Sequence, residues 1–338
     1  MTKPRPALYR LVMQWDKDAR IDEREQRSFV ALLNEVLYHG EMRFTDYHQA
    51  LVDGDFPERL QKWLSHVSSG AQQKALFSIL RHLLFVDESQ MLSLHRDTYR
   101  RVITPWLTRG RVSAGDLLAP TFEKSVRQMM ASYLICSVTE SFNFSWFQSV
   151  NALVGIPKPV VLGEEPRTAR AILTSIDCSP FDGVIVLEDF VGTGKQASRI
   201  LKVVREFFGP DKRMLFAPMI ILDDWLQNLV SDPQLSDVHI EPTLTIPKAH
   251  CVRERPSDGE HSEFTLIRAV VNATASMVTR RLDEQDDPPT NQFGYGKCGA
   301  LVITCHNASN NALPLLHHRA PQWTPLFVRV HHSKGRTK

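Results

Sequence analysis

Residues 184–208, VIVLEDFVGTGKQASRILKVVREFF, limit the folds open to this chain more than any other stretch. Val184 to Leu187 form an apolar run rich in β-branched residues, the pattern of a strand buried on both faces in a parallel sheet. Glu188 and Asp189 close that run, and Gly192-Thr193-Gly194-Lys195 forms a short loop. Ala197, Ile200, Leu201, Val204, Phe207 and Phe208 then recur at helical spacing until Gly209-Pro210 stops the helix. The order is strand, acidic pair, glycine loop, helix.

Such a unit favours an anionic ligand. Glycines allow positive φ and let backbone N–H groups converge, and the first helical turn adds unpaired donors and partial positive charge. A phosphate suits that place. The two carboxylates at the strand end suit sugar hydroxyls or a hard cation such as Mg²⁺. A Walker A loop is disfavoured, because Asp189 stands five residues before Gly194, where that motif needs glycine, and Gln196 takes the Ser/Thr position. The dinucleotide fingerprint is disfavoured too: Ala197 stands at its third glycine, and the acids precede the glycines instead of following them by about 20 residues. An acidic strand end beside an ordinary βα turn is the bland alternative.

The series Val184 to Gly194 resembles the phosphoribosyl-pyrophosphate signature of type I phosphoribosyltransferases: four apolar residues, two acids, two apolar residues and a Thr-Gly loop. The resemblance implies that Glu188 and Asp189 bind the ribose hydroxyls, and that Gly192, Thr193, Gly194, Lys195 and Gln196 cradle the 5′-phosphate. Two positions depart from the pattern. Gly192 stands where many members have Thr or Ser, and Lys195 where many have a small residue. Neither removes backbone donors, and Lys195 adds a cation for a charge-assisted contact.

Composition bounds the rest. The chain has 338 residues, 43% of them hydrophobic, enough for a large core in two domains or one elaborated α/β domain. A formal charge of +2 gives no global footprint for nucleic acid. The five cysteines are scattered without a CxxC, which argues for reduced thiols and a cytoplasmic setting. His250-Cys251 and Cys298 with Cys305-His306 match no closed zinc spacing. No apolar run has the length of a membrane span.

Taken in order, residues 1–115 read as a helical cap or interaction domain. Apolar stripes run through Phe29 to Leu37, Leu60 to Val67 and Leu76 to Leu84, with breaks at Gly40, Gly54 and Ser68-Ser69-Gly70. A fourth helix is expected from Ser89 to about Leu107; its Arg96, Arg100 and Arg101 face solvent, an anion or a partner. Residues 116–332 read as the α/β domain and 333–338 as a basic tail able to brush nucleic acid. A helix from Thr121 carries Phe122, Val126, Met129, Met130, Tyr133 and Leu134 on one face. The hydroxyl- and aromatic-rich stretch 137–146, SVTESFNFSW, lines a pocket or a core edge. Short strands are expected at 159–163, 214–222, 238–240 and 243–246, a helix at 266–282 and a solvated acidic loop at 283–289. Asp223-Asp224 at the 214–222 strand end face substrate or cap the next helix.

Within the phosphoribosyltransferase resemblance, Arg167 after the 159–163 strand is the candidate for pyrophosphate, although fewer residues separate it from Val184 than the family usually places there. The strand Ala300 to Thr304 ends in Cys305, His306, Asn307, Asn310 and Asn311. In one parallel sheet these would face the same crevice as Glu188 and Asp189, His306 as acid or base and the asparagines as amide or base ligands. A turn accounts for them equally well.

The helical region, the LEDFVGTGKQ core, and the terminal Gly-Tyr-Gly, His-Asn-x-x-Asn-Asn, Leu-Pro-Leu-Leu and Trp-x-Pro-Leu-Phe series are together similar to a phosphoribosyltransferase-like effector family. That family belongs to bacterial conflict systems, including retron-type antiphage defence. The similarity spans roughly residues 85–330. It implies a type I phosphoribosyltransferase fold, Mg²⁺ as cofactor, and action on phosphoribosyl pyrophosphate or a nucleotide. It also implies as partners a reverse transcriptase with its RNA–DNA hybrid and a winged-helix protein. Two other readings stay open: an inactive nucleotide-sensing module that regulates a partner, and an interaction scaffold for nucleic acid.

Overall fold

The computed structural model describes residues 6–18, 28–42, 44, 47, 54–279 and 291–329. Its strands, in chain order, are β1 (Leu84–Val86), β2 (Tyr133–Ser137), β3 (Val160–Val161), β4 (Gly183–Val191), β5 (Arg213–Leu222), β6 (His239–Ile240), β7 (Leu244–Ile246) and β8 (Val302–Thr304). The chain forms two compact units, one from 1–88 with 249–338 and one from 89–248. The expected basic tail, the acidic loop 283–289 and Arg280-Arg281 lie outside the described residues.

The 89–248 unit is α/β, built on a parallel sheet ordered β3-β2-β4-β5-β6, with β7 on the same flank of β5 further along. The β4 run is buried from Gly183 through Glu188, because sheet neighbours cover both edges and helices both faces. On one face, helices 166–174 and 195–208 contribute Ala169, Leu173, Ile200, Leu201 and Val204 to a core with Val184, Val186 and Phe216. On the other, the expected helix from residue 89 is present as α-helix 88–97, a π-helical stretch 98–103 and α-helix 104–108. There the Arg213 guanidinium lies 4.2 Å from the centroid of the Trp106 ring, and the Trp106 carbonyl accepts one of its N–H groups.

Four local expectations need correction, three of them at strands and the fourth at Gly40. The helix starting near Thr121 ends at Ala131, and Tyr133 and Leu134 begin β2; their spacing continues the helical stripe, but sheet pairing to Gly183 and Val184 decides the outcome. Leu84 likewise belongs to β1, after helix 70–82. Third, β4 does not close at the acidic pair: its ladder runs on through Glu188, Phe190 and Val191 against Pro218, Ile220 and Ile221 of β5.

The other unit is mainly helical. Helices 6–18, 29–42, 56–65 and 70–82 surround aromatic clusters, with Trp15, Phe29 and Phe77 in one and Phe44, Phe56, Phe85 and Phe327 in another. Gly40 is not a break but part of helix 29–42; a Cβ there would stand 2.4 Å from the Phe56 ring, so glycine permits the close crossing. A two-stranded parallel pair, β1 with β8, and helix 264–278 complete the unit.

Candidate functional site

Sheet order places the candidate site. From β2 the chain moves outward to β3 and then returns to the opposite side as β4, so β2 and β4 are parallel neighbours with connections running in opposite directions. A crevice at the carboxyl ends of two such strands is the usual ligand position in an open α/β sheet. Ser137 pairs with Leu187, so the loop after β2 and the acidic pair of β4 emerge side by side.

That loop holds the carboxylates. Thr139 donates its backbone N–H to Glu188 Oε2 at 3.0 Å and its hydroxyl to Glu188 Oε1. Ser141 Oγ lies 2.7 Å from Asp189 Oδ1 and 3.2 Å from Glu188 Oε1. Glu188 is buried and Asp189 half-buried. Burial pushes the Glu188 carboxyl well above its ordinary value, the adjacent Asp189 pushes it further, and the Thr139 hydrogen bonds act in the opposite direction. Asp189 Oδ1 also accepts the N–H of Phe190 at 2.7 Å, which fixes the side chain two residues before the end of β4.

The glycine loop follows directly. Gly194 has φ 63°, the left-handed conformation natural to glycine, and stands immediately before helix 195–208. The first turn of that helix carries no acidic residue, so its positive dipole end meets no carboxylate of its own. Thr193 is buried and its Oγ1 accepts the Lys195 N–H at 3.4 Å. Lys195 is exposed, while Gln196 Nε2 is buried and finds no acceptor among the described residues. Backbone donors of the loop and helix start thus follow Asp189 directly in the chain, with the Lys195 ammonium exposed and the Gln196 amide donor unused. The arrangement can hold an anion next to a polyol.

The other expected site residues divide. Arg167 is exposed near the start of helix 166–174, just beyond β3. Asp223 and Asp224 occupy the first turn of helix 223–230, at the carboxyl end of β5; Asp223 Oδ1 accepts the Lys248 N–H at 2.9 Å, so it ties down a loop as well as meeting the helix dipole. His306, Asn307, Asn310 and Asn311 follow β8, which pairs with β1 in the other unit and not with the sheet of β4. The shared-sheet premise that grouped them with Glu188 is therefore not met. Asn307 Oδ1 accepts the Ala308 N–H at 2.9 Å, a local turn contact, and the buried Asn311 donates to the Tyr295 carbonyl at 3.1 Å, tying together two segments 16 residues apart. Thr139 and Ser141 were not singled out in the sequence. Their signal was the hydroxyl density of 137–146, but only the parallel pairing of β2 with β4 identifies their partners.

The fold and site define a phosphoribosyltransferase-like α/β protein: a parallel sheet with an acidic pair near the carboxyl end of β4, a glycine loop and a helix N-terminus at the reversal of strand order. The family model PRTase-CE matches residues 60–329, and the chain belongs to that family. No curated protein and no solved structure matches it. Among the described residues, no helix is long and apolar enough to cross a membrane.

Proposed function

We propose that the protein is a glycosyltransferase acting at ribose C1 of phosphoribosyl pyrophosphate or a related nucleotide. The observation that carries this reading is the sequence of groups along one crevice: Glu188 and Asp189 held by Thr139 and Ser141, then Gly194 at φ 63° opening helix 195–208. The 5′-phosphate sits on the N–H groups of 192–196 with Lys195 and the amide of Gln196. The ribose hydroxyls join those of Thr139 and Ser141 on the remaining acceptor sites of the two carboxylates. Arg167 contacts pyrophosphate, and Asp223 borders the same strand ends.

In the transfer, a nucleobase nitrogen forms a bond to C1 while the bond from C1 to the pyrophosphate oxygen breaks; pyrophosphate leaves, and the proton of the base nitrogen passes to the departing pyrophosphate or to water. Positive charge develops at C1 and its ring oxygen, and fixed carboxylates below the ribose stabilise it. The donor set of carboxylates and hydroxyls is all oxygen, which suits Mg²⁺; Asp189, the more accessible acid, would hold it, and the ion would neutralise pyrophosphate charge. The reverse reaction, pyrophosphate cleaving a cellular nucleotide, uses the same groups. A role in antiphage defence, beside a reverse transcriptase with its RNA–DNA hybrid and a winged-helix protein, is part of this proposal and rests on the motif similarity.

The test is incubation with phosphoribosyl pyrophosphate, Mg²⁺ and a panel of bases and nucleotides, following binding and product together, with Asp189→Asn as control. Turnover lost in the variant supports transfer. Binding without turnover assigns a sensor instead. No binding by the wild-type chain, alone or with partners, overturns the reading.

A further inference from the structure

A second cluster of ligand-type side chains lies in the mainly helical unit, outside the sheet that carries the acidic pair. Helix 70–82 ends at His82, and residues 261–263 lead into helix 264–278, against which helix 70–82 packs. His82 Nε2 lies 2.7 Å from Glu263 Oε2, and His261 Nδ1 lies 3.7 Å from the same oxygen. The ligand atoms of these three residues all lie within 4.8 Å of one another. Arg81 pairs with the other carboxylate oxygen, Oε1. The carboxylate is thereby oriented with Oε2 toward both imidazoles, the arrangement an outer ion pair gives a metal-binding carboxylate.

The geometry points to a divalent transition-metal site, and we propose that His82, His261 and Glu263 bind Zn²⁺, with water as the fourth ligand. Zinc bonds of about 2.0–2.2 Å place tetrahedral donor atoms roughly 3.3–3.6 Å apart, so the most separated pair must close by at most about 1.5 Å and the 2.7 Å His82–Glu263 pair must open by about 0.6–0.9 Å. His261, whose side chain is 47% exposed, has room to rotate inward, and its ring centroid already lies 4.5 Å from that of His82. Two neutral imidazoles and one carboxylate suit zinc; Mg²⁺ and Ca²⁺ favour oxygen donors. The ion would clamp residues 181 apart in sequence, joining the end of one helix to the start of another. The competing account is an Arg81–Glu263–His82 ion-pair network that needs no cation.

The experiment uses the full chain, stripped with a chelator and then titrated with Zn²⁺ alone against a chromophoric competitor, and separately with Co²⁺ alone. The expected result is one tight equivalent of zinc, a four-coordinate Co²⁺ spectrum, and a Tm raised by zinc. His82→Ala and His261→Ala should each weaken zinc binding at least about tenfold and abolish the Tm rise. His82→Ala removes a half-buried partner of Glu263 and can impair folding. His261→Ala, at a more exposed position, gives up mainly the acceptor of the Glu263 N–H and is therefore decisive, and its metal-free Tm should fall by no more than a few degrees. Unchanged zinc affinity in His261→Ala, or no four-coordinate cobalt spectrum in wild type, overturns the site and leaves the ion-pair network.

Discussion

Thr139 meets Glu188 through two donors, its backbone N–H at 3.0 Å from Oε2 and its hydroxyl on Oε1, although the residues are 49 apart in sequence. The hydroxyl opposes the upward push that burial and Asp189 exert on the Glu188 carboxyl. Thr139→Val keeps shape and backbone but deletes that bond. A hydrogen bond to a charged group contributes about 1.5–3 kcal/mol, so kcat/KM in the transferase assay should fall roughly ten- to a hundredfold. The acidic limb of the pH–rate profile should also move to higher pH, because the carboxylate becomes harder to ionise. Thr139→Ser should restore both. An unshifted profile in the valine variant would show that the hydroxyl has no part in setting Glu188.

Gly194 separates steric crowding from backbone strain. A Cβ there would meet Trp225 Cβ and Leu229 Cγ at 3.6 Å, ordinary contact distances, so space is available. Its φ of 63° nonetheless penalises an L-residue by about 1–2 kcal/mol. Gly194→Ala should lower stability by that amount in urea unfolding. If the backbone relaxes to relieve the strain, the N–H groups of 193–196 shift and phosphate-ligand affinity falls as well. Wild-type affinity combined with reduced stability would mean that the loop keeps its course and bears the strain, and unchanged stability would refute the strain itself.

The reading from residue order succeeded where one short segment contains all the relevant information. The strand, acids, glycine loop and helix of 184–208 are contiguous, and each part carries its own local signal. The strands 160–161, 213–222, 239–240 and 244–246 were also legible from apolar runs bounded by turns. What stayed hidden depends on pairing between distant segments. Tyr133 and Leu134 continue a helical stripe, and only the β4 edge beside them makes a strand. The asparagines after β8 looked like neighbours of Glu188 because a strand end was visible, but its partner, β1, was concealed at the end of a helical stripe. His82 and Glu263 meet only because helices 70–82 and 264–278 pack together.

Glu188 should make stability depend on pH. Its carboxyl is raised in the folded state above the ordinary value of 4.5, chiefly by burial. Below pH 4.5 the group is protonated in both states and makes no difference. As pH rises from there toward the folded value, the unfolded chain releases its proton first, so wild type steadily loses stability; above the folded value the loss is complete and constant. Glu188→Gln lacks this titration and keeps a carbonyl for the Thr139 N–H. Relative to wild type the variant should gain urea resistance between pH 5 and 8 while losing activity. Midpoints for the two proteins that stay parallel across that range would refute the buried, destabilising carboxylate.

The Leu315 carbonyl accepts two indole N–H groups, from Trp63 at 2.8 Å and Trp323 at 2.9 Å, and both rings are buried. A carbonyl has two lone pairs, so either donor alone still satisfies it. Trp63→Phe or Trp323→Phe should each cost about 1–2 kcal/mol, for lost packing and one neutral hydrogen bond. Trp323→Phe also changes the ring on which His66 stacks at 4.9 Å, which places it at the upper end of that range. The double variant strands the buried oxygen with neither indole donor. Its cost should therefore exceed the sum of the singles by about 0.5–2 kcal/mol, measured as the interaction term of a double-mutant cycle. Strict additivity would mean that the carbonyl finds another donor, such as water, once both indoles are gone.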